Sequence, residues 1–152
     1  MENKSYLQKN FLTFTETIDF NFLSNLIDRN NLSTEISSNF INMYIMDSVF
    51  KIKNVEQDVF FLKTFEHFNN MFNNKKFKTD FHIFFSMKTG NRSITHKDDY
   101  DVYILGLYGR TLYKVEDQEY CVNVGDLLYI PKNHLHIAIG LTPRINLSYG
   151  LL

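Results

Sequence analysis

The sequence predicts a mainly β protein in which a small all-β barrel follows a helical N-terminal cap. From residue 80 to the end, seven short runs of β-branched and aromatic residues alternate with turn signals. Such spacing is typical of a sandwich or a barrel. The 152 residues, 44% of them hydrophobic, suit one compact domain with its own core. We therefore expect a single domain over 1–152, with the cap in 1–79 and the barrel core in 80–152.

Two helices and at least one strand are predicted in the cap. The stretch TETIDFNFLSNLIDRNNLS has apolar residues at helical spacing and ends in an Asn pair that suits a helix stop. The stretch VEQDVFFLKTFEHFNNMFNN carries a second helical stripe, with apolar residues at 59, 61, 62, 65, 68 and 72. Between them, INMYIMDSVFKIKNVE is β-branched and aromatic, which predicts one or two strands.

The barrel strands are predicted from runs that end at residues typical of turns. The turn signals are KTGN, YGR, EDQE, VGD, PKN and LTP. The runs between and around them are FHIFFSM, YDVYILGLYG, TLYKV, EYCVNV, DLLYIP, LHIAIG and RINLSYGLL.

Charge and cysteine content exclude several classes of protein. Sixteen basic and 17 acidic residues give a net charge of −1, so no electrostatic footprint for nucleic acid or an anionic membrane is evident. Cys121 is the only cysteine, which rules out an intrachain disulfide and favours the cytosol. The N-terminus lacks the features of a secretory signal, and no apolar run approaches the length of a membrane span. We expect a soluble, cytoplasmic protein.

Three histidines and an aspartate are candidate metal ligands. His96 and Asp98 are two positions apart, so on a strand their side chains share one face, about 7 Å apart at Cα, and can converge on one ion. A third ligand is offered by His134 or His136 in GDLLYIPKNHLHIAIG. These two histidines have the same strand parity, so parity does not choose between them.

The spacing around these residues resembles the two motifs of the cupin superfamily. Gly90, five residues and then His96 resemble the opening of the first motif, with Asp98 in place of its second histidine. Gly125, five residues, Pro131, one residue, Asn133, two residues and His136 resemble the second motif. Asn133 replaces the expected glycine, and Asn is the non-Gly residue best suited to a left-handed turn position. The alignment selects His136 as the ligand and leaves His134 as its neighbour.

Within the cupins, HKDDYDVYILGLYGR resembles the corresponding strand of the Jumonji-C-like protein hydroxylases, especially the branch that acts on ribosomal proteins. GDLLYIP and NLSYG resemble the second motif and the closing strand of that branch, so the resemblance covers roughly 50–152. It implies a double-stranded β-helix. His96, Asp98 and His136 would then be the metal ligands and catalytic residues that hold Fe(II) as a 2-His-1-carboxylate triad.

The same resemblance implies an activity. Enzymes of this family decarboxylate 2-oxoglutarate to succinate and hydroxylate a substrate C–H bond. The implied substrate here is a side chain in a peptide or protein, and a homodimer is possible. Two alternatives stay open: a cupin metalloenzyme that acts on a small molecule without 2-oxoglutarate, and a non-catalytic cupin that binds a metal or another ligand.

The sequence departs from the family where the co-substrate would bind. A lysine or arginine is commonly found fifteen positions after the first histidine and pairs with the distal carboxylate of 2-oxoglutarate, but here that position is Thr111. The cation could instead be Arg144, with Thr111 assisting, which we favour. It could also be Lys88 or Arg110, or the co-substrate could be a different molecule. Asn146 and Ser148, on the closing strand, are further candidates for binding the co-substrate.

Four more residues are interpreted from strand parity and position. Tyr103 and Tyr113 are predicted near the pocket, with core packing favoured over a substrate role. Asp101 is expected to order the start of its strand. His82 is interpreted as a partly buried packing histidine.

Overall fold

The computed structural model describes residues 4–36, 48–72 and 78–152. In these ranges the helices are α1 (Phe20–Asn30) and α2 (Val59–Met71), with a single 3-10 turn at Val55–Gln57 before α2. The strands are β1 (Tyr6–Gln8), β2 (Thr34–Ile36), β3 (Phe50–Lys53), β4 (Thr79–Ser86), β5 (Asp101–Tyr108), β6 (Thr111–Val115), β7 (Gln118–Val122), β8 (Leu127–Ile130), β9 (His136–Gly140) and β10 (Arg144–Leu151). None of the described helices is long and apolar enough to cross a membrane.

The strands form two antiparallel sheets that enclose the barrel interior. The larger sheet has the order β1-β8-β5-β10-β4-β3-β2 and the smaller sheet has the order β7-β6-β9. Side chains from both sheets meet in one apolar cluster between them: Val102, Ile104, Tyr113, Val115, Val122, Leu128, Ile130 and Ala138. This arrangement confirms the predicted mainly β fold, a double-stranded β-helix with a helical cap.

Both helices begin at an aspartate that caps the first turn. The Asp19 carboxylate accepts a hydrogen bond from Phe22 N at 2.9 Å, and the Asp58 carboxylate accepts one from Phe60 N at 3.0 Å. Helix α1 ends at Asn31, which takes the left-handed conformation with φ 49°. Both predicted helices are therefore confirmed.

The helices cover the outer face of the larger sheet. Phe61 and Phe68 of α2 are completely buried and belong to the same core cluster as Ile145, Leu147 and Tyr149 of β10. Phe68 and Tyr149 stack with ring centroids 5.0 Å apart. Because side chains alternate along a strand, the other face of β10 points into the barrel.

The predicted strands in 80–152 all occur. Within the cap, the predicted strand over 41–56 corresponds to β3, and its first seven positions, 41–47, lie outside the described residues. Residues before 79 also contribute β1 and β2 to the larger sheet, at its two edges. The division into a cap over 1–79 and a barrel core over 80–152 stays a prediction.

Candidate functional site

His96 and His136 lie directly opposite each other in an isolated antiparallel bridge. His96 N donates to His136 O at 3.1 Å, and His136 N donates to His96 O at 2.9 Å. Residues paired in this way project their side chains from the same face of the pair. The two imidazole rings accordingly have centroids 4.3 Å apart. Two residues that are 40 positions apart in the sequence thus present their rings together.

Asp98 is held beside the two histidines by the turn that precedes β9. Asn133 N donates to Asp98 O at 2.6 Å, and Lys132 N donates to the Asp101 carboxylate at 2.9 Å. Asn133 takes the left-handed conformation with φ 63°, as the sequence predicts. Asp101 orders the start of β5, which is also the predicted role. These two hydrogen bonds therefore attach the segment that carries Asp98 to the turn that leads to His136.

The three side chains converge. Asp98 Oδ2 is 3.6 Å from His136 Nε2, and Asp98 Oδ1 is 3.9 Å from His96 Nε2. One ligand atom from each residue lies within 4.8 Å of the other two. The expectation that both residues of the His96-x-Asp98 pair lie on a strand is wrong, because both precede β5, and His96 forms only the single bridge to His136.

The hydrogen bonds of both imidazoles leave Nε2 free to bind a metal. His96 Nδ1 lies 2.7 Å from Ile94 O, and His136 Nδ1 lies 2.9 Å from His134 O. A carbonyl oxygen only accepts, so each Nδ1 carries the proton and each Nε2 keeps its lone pair. Burial lowers the pKa of His136, which favours the neutral form that metals bind. Two neutral imidazoles and a carboxylate are the donor set of the 2-His-1-carboxylate triad, so the residues present fit Fe(II).

His134 is separate from this cluster. Its Nδ1 lies 3.1 Å from Lys132 O, and within the described residues the candidate metal group contains His96, Asp98 and His136 alone. The choice of His136 over His134, which the cupin motif supplied and strand parity did not, agrees with this geometry.

The three side chains line a cavity of about 390 Å³ between the two sheets. Of the three side chains, His96 is the most exposed, at 45%, and His136 the least, at 6%. Strands β10, β6 and β5 contribute Arg144, Ser148, Tyr113, Val102 and Ile104 to its wall, and β3 and β4 contribute Lys51, His82 and Phe84.

Arg144 is a buried cation that points into this cavity. The residue is 2% exposed, and its Nε donates to Ser86 Oγ at 3.2 Å. Within the described residues, no carboxylate lies at ion-pair distance from its guanidinium, and burial lowers the pKa of Arg144. The other two candidate cations, Lys88 and Arg110, are exposed on loops. Of the three candidates, only Arg144 lines the cavity.

Thr111 and Asn146 form a buried network beside Arg144. Asn146 Nδ2 donates to Thr111 Oγ1 at 2.8 Å and to the Tyr113 hydroxyl at 3.3 Å. Thr111, Asn146 and Ser148 are all buried. Burial raises the pKa of Tyr113, so its hydroxyl is protonated at neutral pH. The network fixes the Tyr113 hydroxyl at the cavity wall.

The prediction that Tyr103 lies near the pocket is wrong, whereas Tyr113 does line it. Val102 and Ile104 face the interior, so the residue between them faces the opposite side. Tyr103 packs in the outer core, with its ring centroid 4.0 Å from that of Phe72 and 4.9 Å from that of Tyr129.

His82 was interpreted as a partly buried packing residue, but it is 4% exposed and lines the cavity. It shares a strand face with Phe84, which also lines the cavity, and with Ser86, which holds Arg144. The alternation of these three residues along β4 is the sequence signal that could have identified it.

The fold is similar to that of the ribosomal oxygenase YcfD from Escherichia coli. A crystal structure of YcfD matches with a TM-score of 0.76 and 20% sequence identity, covering 98% of this chain and 48% of the YcfD chain. The structures of YcfD with cobalt and 2-oxoglutarate and with cobalt and succinic acid match with a TM-score of 0.74. At this identity the likeness shows the fold, and that fold agrees with the one implied by the sequence motifs.

The chain spans about half the length of the YcfD chains that it matches, 48% in the comparisons above. No protein-family model matches the chain, and no curated protein matches it.

Proposed function

We propose that the chain is an Fe(II)- and 2-oxoglutarate-dependent oxygenase that hydroxylates a side chain in a peptide or protein. One observation carries the proposal: the His96–Asp98–His136 cluster and the buried guanidinium of Arg144 line the same cavity. A triad of this kind leaves coordination positions open for a bidentate 2-oxo acid. The cation supplies a partner for the second carboxylate of such a molecule.

Each residue has a role in this proposal. His96, Asp98 and His136 hold Fe(II), which when bound supplies the chemistry that couples oxidation of 2-oxoglutarate to hydroxylation. Arg144 pairs with the distal carboxylate, because a buried guanidinium without an acidic partner is unfavourable and a carboxylate relieves this. The barrel wall excludes water from the bound molecules.

Polar residues along the cavity wall orient the co-substrate, with Tyr113 near Arg144 and Ser148 four positions further along β10. The hydroxyls of Tyr113 and Ser148 line the cavity and offer hydrogen bonds to carboxylate oxygens. Thr111 and Asn146 act through Tyr113, since Asn146 bonds both of the other two side chains. Thr111 therefore assists a cation supplied from β10 and does not replace it.

The proposed substrate is a side chain in a peptide or protein. The likeness to a ribosomal oxygenase supports a protein substrate, including a ribosomal protein, although it extends over only part of that enzyme.

The test is metal binding, 2-oxoglutarate binding and succinate formation by the purified chain. We expect calorimetry under anaerobic conditions to show that Mn(II) binds and that 2-oxoglutarate binds only when Mn(II) is present. With Fe(II) and O2 we expect succinate. The variants Asp98→Ala and His136→Ala should lose about 100-fold or more in metal affinity, since each removes a ligand.

Two neighbouring residues supply matched controls. Asp99→Ala and His134→Ala change the same residue types one and two positions away, outside the candidate cluster, and should bind the metal like the wild type. Metal binding with turnover of a small molecule, but without 2-oxoglutarate, would replace the proposal with the metalloenzyme alternative. Metal or ligand binding without any turnover would leave a binding protein.

A further inference from the structure

His82 is a buried polar side chain that lacks a good hydrogen bond. The residue is 4% exposed, and neither Nδ1 nor Nε2 has a hydrogen-bond partner of good geometry in the described part of the chain. Buried polar groups in folded proteins nearly always have partners, so such a group requires an explanation. The ring lies in the wall of the cavity that holds the metal cluster.

The position of His82 places it away from Arg144. On the interior face of the sheet, His82 pairs with Ser148 and Ser86 pairs with Arg144. The two pairs are four positions apart along the strands, which is about 13 Å. Tyr100, two residues after Asp98, lies against Gly150, which pairs with Asp80 of β4. His82 therefore lies toward the end of the cavity that Asp98 and Tyr100 line, away from the proposed site of the distal carboxylate.

The environment of His82 assigns its protons. Nδ1 lies 3.1 Å from Asp80 Oδ1, a contact that is too poorly aligned for a good hydrogen bond but close enough to orient the ring. The His82 contact and the nearby Lys51 ammonium lower the pKa of Asp80 to about 2, so the carboxylate is ionised. Burial lowers the pKa of His82, so the ring is neutral at neutral pH. The proton then belongs on Nδ1, facing the carboxylate, and Nε2 is an acceptor without a donor.

The charges around the cavity are balanced once the proposed ligands are present. Lys51 lies 3.6 Å from Asp80, so these two charges offset each other at the His82 end. Fe(II) and Arg144 carry three positive charges, and Asp98 and 2-oxoglutarate carry three negative charges. A charged substrate group placed in this buried space would have no counter-charge, whereas an uncharged one needs none.

We propose that His82 is a substrate-binding residue, whose Nε2 accepts a hydrogen bond from an uncharged donor group of the substrate, best a side-chain carboxamide. The NH2 group of a carboxamide would donate to His82 Nε2, and its oxygen would accept a hydrogen bond from the Lys51 ammonium; Lys51 also lines the cavity. His82 Nε2 is buried in the structure, and the soft χ2 torsion of a histidine allows the ring to rotate and present this atom to a bound group. This inference rests on the proposed function, because it names the substrate group for the same cavity.

The first test compares capped peptides that differ at one position, carrying Asn, Asp, Leu or Arg. Asn, Asp and Leu have nearly the same shape, so they differ mainly in hydrogen bonding and charge. With Fe(II), 2-oxoglutarate and O2, succinate formation above the peptide-free rate gives an apparent KM for each peptide. We expect the Asn peptide to have the lowest KM, by about tenfold, which is the effect of one hydrogen bond to a buried group.

Variants of His82 separate hydrogen bonding from packing. His82→Phe keeps a ring of similar size without an acceptor and should raise the KM of the Asn peptide about tenfold. His82→Gln restores an acceptor near the position of Nε2 and should recover part of this loss. Lys114→Met, at an exposed ion pair on β6, should leave every KM unchanged. A preference for Asp or Arg, or an unaltered preference in His82→Phe, would overturn the proposal.

The second test does not depend on turnover. Nitrogen-15 NMR of the imidazoles follows His82 while N-acetyl-asparagine N-methylamide is added to the protein with Zn(II) and 2-oxoglutarate. We expect the His82 Nε2 signal to shift with this probe and not with the Asp or Leu analogue. A shift without succinate formation in any assay would reject the proposed function and keep this binding site. Succinate formation without the shift would keep the function and reject the site.

Discussion

The two faces of β10 are equally buried and chemically opposite. The face toward the helices carries Ile145, Leu147 and Tyr149, at most 1% exposed. The face toward the barrel interior carries Arg144, Asn146 and Ser148, at most 4% exposed. Burial of the first three is favourable, with the Tyr149 hydroxyl donating to Asn69 Oδ1, whereas burial of the second three needs hydrogen bonds or a bound partner throughout. One strand thus contributes to stability on one side and, in the proposed function, to ligand binding on the other.

The largest expected effect is on the apolar face. Leu147→Ala should lower the free energy of unfolding by about 2–5 kcal/mol, because it removes a side chain that is 1% exposed and leaves a cavity. Urea unfolding measures this change. In the protein that remains folded, the affinity for 2-oxoglutarate should be unaltered, since Leu147 points away from the cavity.

Leu62→Ala is the matched control, since Leu62 of α2 is 40% exposed. It should change the free energy of unfolding by less than about 1 kcal/mol. If Leu147→Ala were equally mild, the distinction between the two faces would be lost.

The next effect is on the polar face. Arg144→Leu should weaken 2-oxoglutarate binding about 100-fold, because a charged hydrogen-bonded pair is lost. The free energy of unfolding should stay the same or rise, since a buried cation without an acidic partner is replaced by an apolar side chain. Calorimetry in the presence of Mn(II) and urea unfolding measure the two quantities on the same sample.

Arg110→Leu removes an exposed arginine and should alter neither quantity. Arg144→Lys should bind 2-oxoglutarate with intermediate affinity, because it keeps the charge without the bidentate geometry. A large loss of stability in Arg144→Leu with undiminished affinity would make Arg144 a structural residue, like those on the opposite face of β10.

The strands of the barrel and the candidate metal ligands could be predicted from the sequence because their signals are local. Alternation and turn residues mark β4 to β10, and the cupin-type spacing marks His136. The strands β1 and β2 escaped prediction because each has only three residues and lies at a sheet edge, so neither carries a pattern. The structure alone shows that β1 pairs with β8 and that β2 pairs with β3.

Two residues of the site were assigned wrongly because a local pattern shows that side chains alternate along a strand but not which face turns inward. Tyr103 was assigned to the wrong face, whereas its neighbours Val102 and Ile104 line the cavity. His82 was taken as a packing residue, because its missing hydrogen bonds become evident only when the strands around it are in place. In both cases the wrong part of the prediction was whether the side chain faces the cavity. The same orientation distinguishes the two faces of β10.

The pH dependence of the free energy of unfolding should show a smaller change. Burial holds the pKa of His82 below its ordinary value of 6.5, so the unfolded chain takes up a proton that the folded protein resists. The free energy of unfolding should therefore fall as the pH decreases below 6.5, by up to about 1.4 kcal/mol per pH unit for each such histidine. His136 has the same direction of shift and adds to the slope in the presence of a chelator.

His82→Phe should remove one histidine's share of the slope between pH 6.5 and 5, above the range in which Asp80, with its pKa of about 2, begins to contribute. Urea unfolding at several pH values measures both slopes. Equal slopes for the two proteins would mean that burial does not destabilise His82, which lies opposite Ser148 on the neighbouring strand β4. The contrast between the two faces of β10 would then rest on Arg144 and Asn146.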